Sequence, residues 1–208
     1  GGRSMKAIWK TAWLALALGA AAVDAAAPAG DGADGSAEAP ILEIRRLFAQ
    51  GRWSEALAAM AQEEARQPGQ EDLLFLRAMV AMEWGEHAEA LRLYTRLLER
   101  YPGNPSLKNN VAWLRVQSHD PAVRDLDLAL EEAREAILAS PHDYNIWNTL
   151  GEIYLARGDA TRALRAAVLA RDLAMLAGEP DRRLFLDLVR RCEAPRGKER
   201  DAASAGGL

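Results

Sequence analysis

The chain has 208 residues, half of them hydrophobic and 27% charged, with a formal net charge of −4. That length holds one domain of ordinary size plus tails, and that composition folds rather than staying disordered. Lysine and arginine are interspersed with acids, so no basic stripe points to nucleic acid; a single cysteine, Cys192, excludes an intrachain disulfide framework or a cysteine-built metal site.

Gly1 to Ser4 precede Met5 and read as a cloning scar. Residues 5–25 follow the order of a secretory signal peptide: basic Lys6 and Lys10, an apolar run from Thr11 to Val23, then small residues. The run is shorter than the roughly 20 residues a membrane-crossing helix needs, so a cleaved signal is expected, with an uncleaved anchor as the alternative. The signal implies a bacterial periplasmic protein. Residues 26–40, rich in Ala, Gly, Asp and Pro, have nothing to bury and are expected to be a flexible linker.

A helical period then sets in. Ile41, Ile44, Leu47 and Phe48 recur at steps of three and four up to Gly51, and Trp53, Ala56, Leu57 and Met60 do so up to Pro68. The next stretch carries Leu74, Ala78 and Ala81, a Gly85-Glu86 turn, then Ala90, Tyr94 and Leu97 before Pro102. A third begins at Asn104-Pro105, a helix cap followed by a residue suited to the first helical turn. It reads NNVAWL over Asn109 to Leu114, then a loop over 118–125, then a helix with Ala129, Ala133 and Ala136 inward. The fourth is the most regular. After Asp143 as N-cap, Trp147, Leu150, Gly151 and Tyr154 mark one helix face; beyond Gly158-Asp159, Ala160, Ala163, Ala167 and Ala170 mark the next. Large residues on one helix opposite small ones on its neighbour signal a tight antiparallel pair. From Pro180, Leu184, Phe185, Leu188 and Val189 form a last apolar face, expected to cap the array as far as Cys192. Residues 193–208 are small and polar, and are expected to be a disordered tail.

The fourth stretch resembles the tetratricopeptide repeat (TPR), matching its motif at Trp147, Leu150, Gly151, Tyr154, Gly158, Ala163 and Ala170. The second keeps most of the pattern, with Arg77 and Ala81 as departures, and Pro68 to Pro102 spans the family's period of about 34 residues. The first matches at Gly51, Ala56 and Pro68, with Ile44 where a small residue is usual. The third lacks the glycine turn. The resemblance implies an all-α, TPR-like α-solenoid of about four helix-turn-helix repeats plus a C-terminal capping helix, occupying residues 41–192.

The resemblance further implies a concave surface lined by the first helix of each repeat. It assigns to that groove Phe48, Phe75, Met79, Met82, Asn109, Trp113, Val116, Asn148, Glu152 and Leu155. Methionine and aromatic side chains suit an adaptable binding strip, with the amides and Glu152 as polar groups at one end. Packing of the strip on itself or on the linker is the alternative. The histidines (His87, His119 and His142) lack partners at metal-ligand spacing, and His119 and Asp120 read as an exposed loop. No nucleophile, acid–base pair or phosphate loop is present in the pattern, so no enzyme, cofactor or metal is expected. The expected function is a periplasmic adaptor that holds a peptide or protein partner of the cell envelope, with peripheral membrane association possible. The alternative is a carrier for an apolar, lipid-type ligand.

Overall fold

The computed structural model describes residues 38–179 and 185–194. Described residues are all helix and turn. The expected scar, signal peptide and most of the linker, Pro180 to Leu184, and the tail beyond 194 lie outside them. The nine helices among the described residues are α1 (Glu38–Ala49), α2 (Trp53–Arg66), α3 (Glu71–Trp84), α4 (His87–Arg100), α5 (Pro105–Gln117), α6 (Leu126–Ala139), α7 (Tyr144–Ala156), α8 (Ala160–Leu176) and α9 (185–194). The chain divides within α4 into two compact units, one ending at Leu93 and one starting at Tyr94.

In the first unit α1 begins at Glu38, inside the expected linker. Pro40 falls in the first turn, where its missing N–H costs no helical bond. α1 packs on α2. Between them Gly51 adopts φ 72°, and the N–H groups of Gly51 and Arg52 return to Phe48 O and Leu47 O, each at 2.9 Å. Phe48 meets Trp53 edge to face, with centroids 5.4 Å apart. α3 closes in the same way at Gly85, whose left-handed conformation lets Glu86 N–H reach Ala81 O at 2.8 Å. Unlike an ordinary surface helix, α3 is apolar on nearly every side: Leu73, Leu74, Leu76, Ala78, Met79, Val80, Ala81 and Met82 are all buried.

The second unit is built from side-chain caps and alanine faces. Asn104 Oδ1 accepts from Leu107 N–H at 3.0 Å, and Asp125 Oδ1 accepts from both Asp127 and Leu128 N–H. Asp143 accepts from Asn145 N–H, and Asp159 from Arg162 N–H. Each cap satisfies donors that the first helical turn leaves open. α5 packs on α6 and α7 on α8, while α7 also contacts α6 and α5. Ala129, Ala133 and Ala136 on α6, and Ala163, Ala167, Ala170 and Ala174 on α8, are wholly covered. Ala160 is only half-buried, because it sits directly after the Asp159 cap.

The loop over 118–125 is more ordered than its sequence announces. Val123 is buried, and Arg124 Nη1 donates to Val116 O at 2.6 Å, which serves a carbonyl of the last turn of α5. His119 and Asp120 are exposed, as their polarity predicts.

α9 covers the end of the unit. Phe185, Leu188, Val189 and Cys192, spaced i, i+3, i+4 and i+7, are buried. Phe185 stands edge-on to Tyr144 at 5.5 Å. Glu193 and Ala194, expected in the tail, are helical.

Candidate functional site

Of the ten residues assigned to the groove, Phe48, Phe75, Met79 and Met82 lie in the first unit, and the other six in the second. Within the first, Phe48 is 4% exposed, Met79 1% and Met82 8%; Phe75 is half-buried. These methionines are core-packed, because α3 is covered on most sides and turns only Asp72, Arg77 and Trp84 fully to solvent. The expected open strip is therefore not presented by Phe48, Met79 or Met82.

The second unit brings together α5, with Asn109, Trp113 and Val116, and α7, with Asn148, Glu152 and Leu155. Steps of three and four put each set on one face of its helix. Val116 is buried; Trp113 and Leu155 are half-buried against the cluster formed with Ala129, Ile153 and Ala163. The two asparagines occupy the same place in successive repeats, five residues after Asn104 and after Asp143, the caps of their helices.

Their polar atoms are unusual. Asn109 is 5% exposed and Asn148 6%, yet Oδ1 of each has no hydrogen-bond partner. Leaving such a buried acceptor unpaired costs about 1–3 kcal/mol. Folding alone does not favour that arrangement, and here it occurs at two equivalent positions.

Glu152, one turn beyond Asn148, is 7% exposed and accepts from Arg191 Nη2 of α9. Arg191 Nε also lies 3.5 Å from Asp187 Oδ2. Burial pushes the Glu152 carboxyl above the usual glutamate range; Arg191 opposes that, and Asp187 adds to it. Nothing in the helical period of the cap gives Arg191 this role. The only local signal was the Asp187/Arg191 spacing of four, which favours a pair on one helix but says nothing of Glu152.

A raised acid pKa has a definite sign. The folded state holds the proton more tightly than the unfolded one, so this contribution to stability is present at low pH. It is lost as pH rises through the folded-state pKa. Glu152→Gln is therefore expected to leave the protein equally stable or about 1 kcal/mol more stable at pH 7, with a flatter stability profile above pH 4.5. Denaturant titrations at several pH values read both effects.

Nearby, Tyr144 donates to Glu179 Oε2 at 3.1 Å, and burial together with that carboxylate pushes its phenol up to about 12. Trp147 Nε1 donates to Pro141 O at 2.7 Å. Both groups brace α7 and are structural. No group of three or more potential metal ligands occurs among the described residues, and no described helix is long and apolar enough to cross a membrane.

Helical hairpins of this form, with alanine on one helix, glycine at the contact and a repeat of about 34 residues, define a TPR array. The tetratricopeptide repeat family matches residues 41–105 and 122–174, and the chain belongs to that family. Its members are typically non-enzymatic scaffolds that mediate protein–protein interaction. The chain is 36% identical over 98 residues to Tetratricopeptide repeat protein 37 of Xenopus laevis, 45% of this chain and 6% of that protein. It is 39% identical over 67 residues to Superkiller complex protein 3 of Homo sapiens, 32% of this chain and 4% of that one. The chain thus spans only a small part of these relatives. The Sgt2 TPR domain of Aspergillus fumigatus superposes with a TM-score of 0.54 at 21% identity, covering 65% of this chain and 84% of that one. A thermophilic TPR protein of Thermus thermophilus gives 0.56 at 18%, covering 81% and 96%. At those identities the likeness is one of fold.

Proposed function

We propose that the chain is a non-enzymatic adaptor whose second unit holds an extended peptide segment of a protein partner across α5 and α7. The observation that carries this is the pair of buried, unpartnered Asn109 and Asn148 oxygens. An extended backbone offers N–H donors along its length, and neighbouring helices 8–10 Å apart space the two amides within reach of one such strand. Trp113 and Leu155, half-buried beside them, supply apolar contact for side chains. The basic N-terminal pattern supports placement in the periplasm, which makes the partner a cell-envelope protein. The carrier reading for a lipid-type ligand rested on the strip of Phe48, Phe75, Met79, Met82 and Trp113, and the burial of Phe48, Met79 and Met82 takes away much of its support.

A displayed peptide library panned against the full chain is expected to return extended segments. Their affinity should fall about tenfold, roughly 1.4 kcal/mol, with either Asn109→Ala or Asn148→Ala. Peptides that bind both variants as well as the unaltered chain would overturn the assignment. Lipid recovered from the purified protein by mass spectrometry, with no peptide selected, would revive the carrier.

A further inference from the structure

α9 is held differently from the helices before it. No described helix follows it to pack on its outer side, where Leu186, Arg190 and Glu193 are exposed. Docking buries Phe185, Leu188 and Val189, and places Arg191 on Glu152. Glu152 is one turn along α7 from the unpartnered Asn148 oxygen. Two oxygen acceptors therefore stand on one face of α7. One is open, and the other is filled by a guanidinium delivered from 39 residues further along the same chain.

We propose that α9 is a releasable strap, and that Arg191 keeps the place of an arginine belonging to the partner. Release uncovers an acidic subsite at Glu152 beside the Asn148 amide, and the segment that fits there carries a basic side chain. This rests on the peptide-binding reading of α5 and α7 and names its charge preference. The ion pairs make the exchange balanced: Arg191 keeps Asp187, 3.5 Å away, while Glu152 takes the incoming cation. A neutral segment would leave the Glu152 carboxylate buried without a counter-charge, a strongly unfavourable state. The seat thus discriminates by charge rather than by shape alone.

Two measurements test the strap on the full chain. By hydrogen exchange, amides of 185–194 are expected to exchange at least about 100-fold faster than those of α7 and α8. Equal protection would overturn it. The second uses a fluorescent synthetic peptide copying residues 185–194, with serine in place of its cysteine. It is expected to bind chains carrying Arg191→Ala or Arg191→Gln about tenfold more tightly than the unaltered chain, where the tethered helix competes. Replacing the peptide's own second arginine by glutamine, or introducing Glu152→Gln in the chain, should remove that gain; equal affinity of the arginine and glutamine peptides would overturn the acidic subsite. Asn109→Ala and Asn148→Ala should leave the exchange of α9 unchanged, so failure of the strap and failure of the peptide-binding reading give different results.

Discussion

Gly151→Leu is expected to destabilise the second unit by about 3 kcal/mol, the upper end of the cost of forcing extra carbon into a packed contact. At position 151 even a Cβ would lie 2.8 Å from Leu188 Cδ2, 3.4 Å from Ala163 O and 3.5 Å from Ala167 N. Leucine is a better helix former than glycine, so propensity pushes the other way by roughly 1 kcal/mol and the loss must be steric. The neighbours do not give way equally. Leu188 is the tip of a flexible side chain and can turn aside; the α8 backbone cannot move without opening the α7–α8 hairpin. Gly151→Ala should thus be nearly neutral, while Gly151→Leu expels Leu188 and α9 with it. Thermal unfolding should show a fall of about 6–12 °C for the leucine variant, given about 2–4 °C per kcal/mol in a chain of this size. An unchanged melting temperature would mean that α7 and α8 approach less closely than the structure shows.

That notch was legible in the sequence because it is written locally. Trp147, Leu150, Gly151 and Tyr154 lie within one helix, and the facing alanines begin only nine residues after Tyr154, so spacing fixes both helices and the contact between them. The caps at Asn104 and Asp143 were legible for the same reason. Where the reading failed, the information was not local. Met79 and Met82 took their groove assignment from their place in the repeat, but α3 is apolar on most sides, so its few charged residues do not show which of its apolar sides are covered. Order in the loop over 118–125 depends on Arg124 reaching back to Val116 O, a contact that no period announces. The pairing of Glu152 with Arg191 crosses 39 residues, and no helical period links the two charges. Family position could place Asn109 and Asn148 on the inner face; that their oxygens are buried and unpartnered depends on the packing around them.

The double substitution Asn109→Leu with Asn148→Leu separates folding from binding at that site. Leucine is close to asparagine in shape and removes an acceptor that the folded state buries without a donor. Relieving an unsatisfied buried polar group is worth about 1–3 kcal/mol, so the double variant is expected to gain about 2 kcal/mol or more. The two sites lie on different helices and share no partner, so their effects should nearly add. The same change removes both amides from the face formed by α5 and α7, and peptide affinity is expected to fall by about 100-fold, two tenfold losses in series. A variant that is more stable yet no longer binds is the signature of a site kept at the expense of the fold. Structural asparagines would give the opposite pair of results: lost stability, with binding falling only in proportion to the folded fraction. Chemical denaturation and peptide titration on the same preparation therefore decide between them, because the two accounts differ in the sign of the stability change.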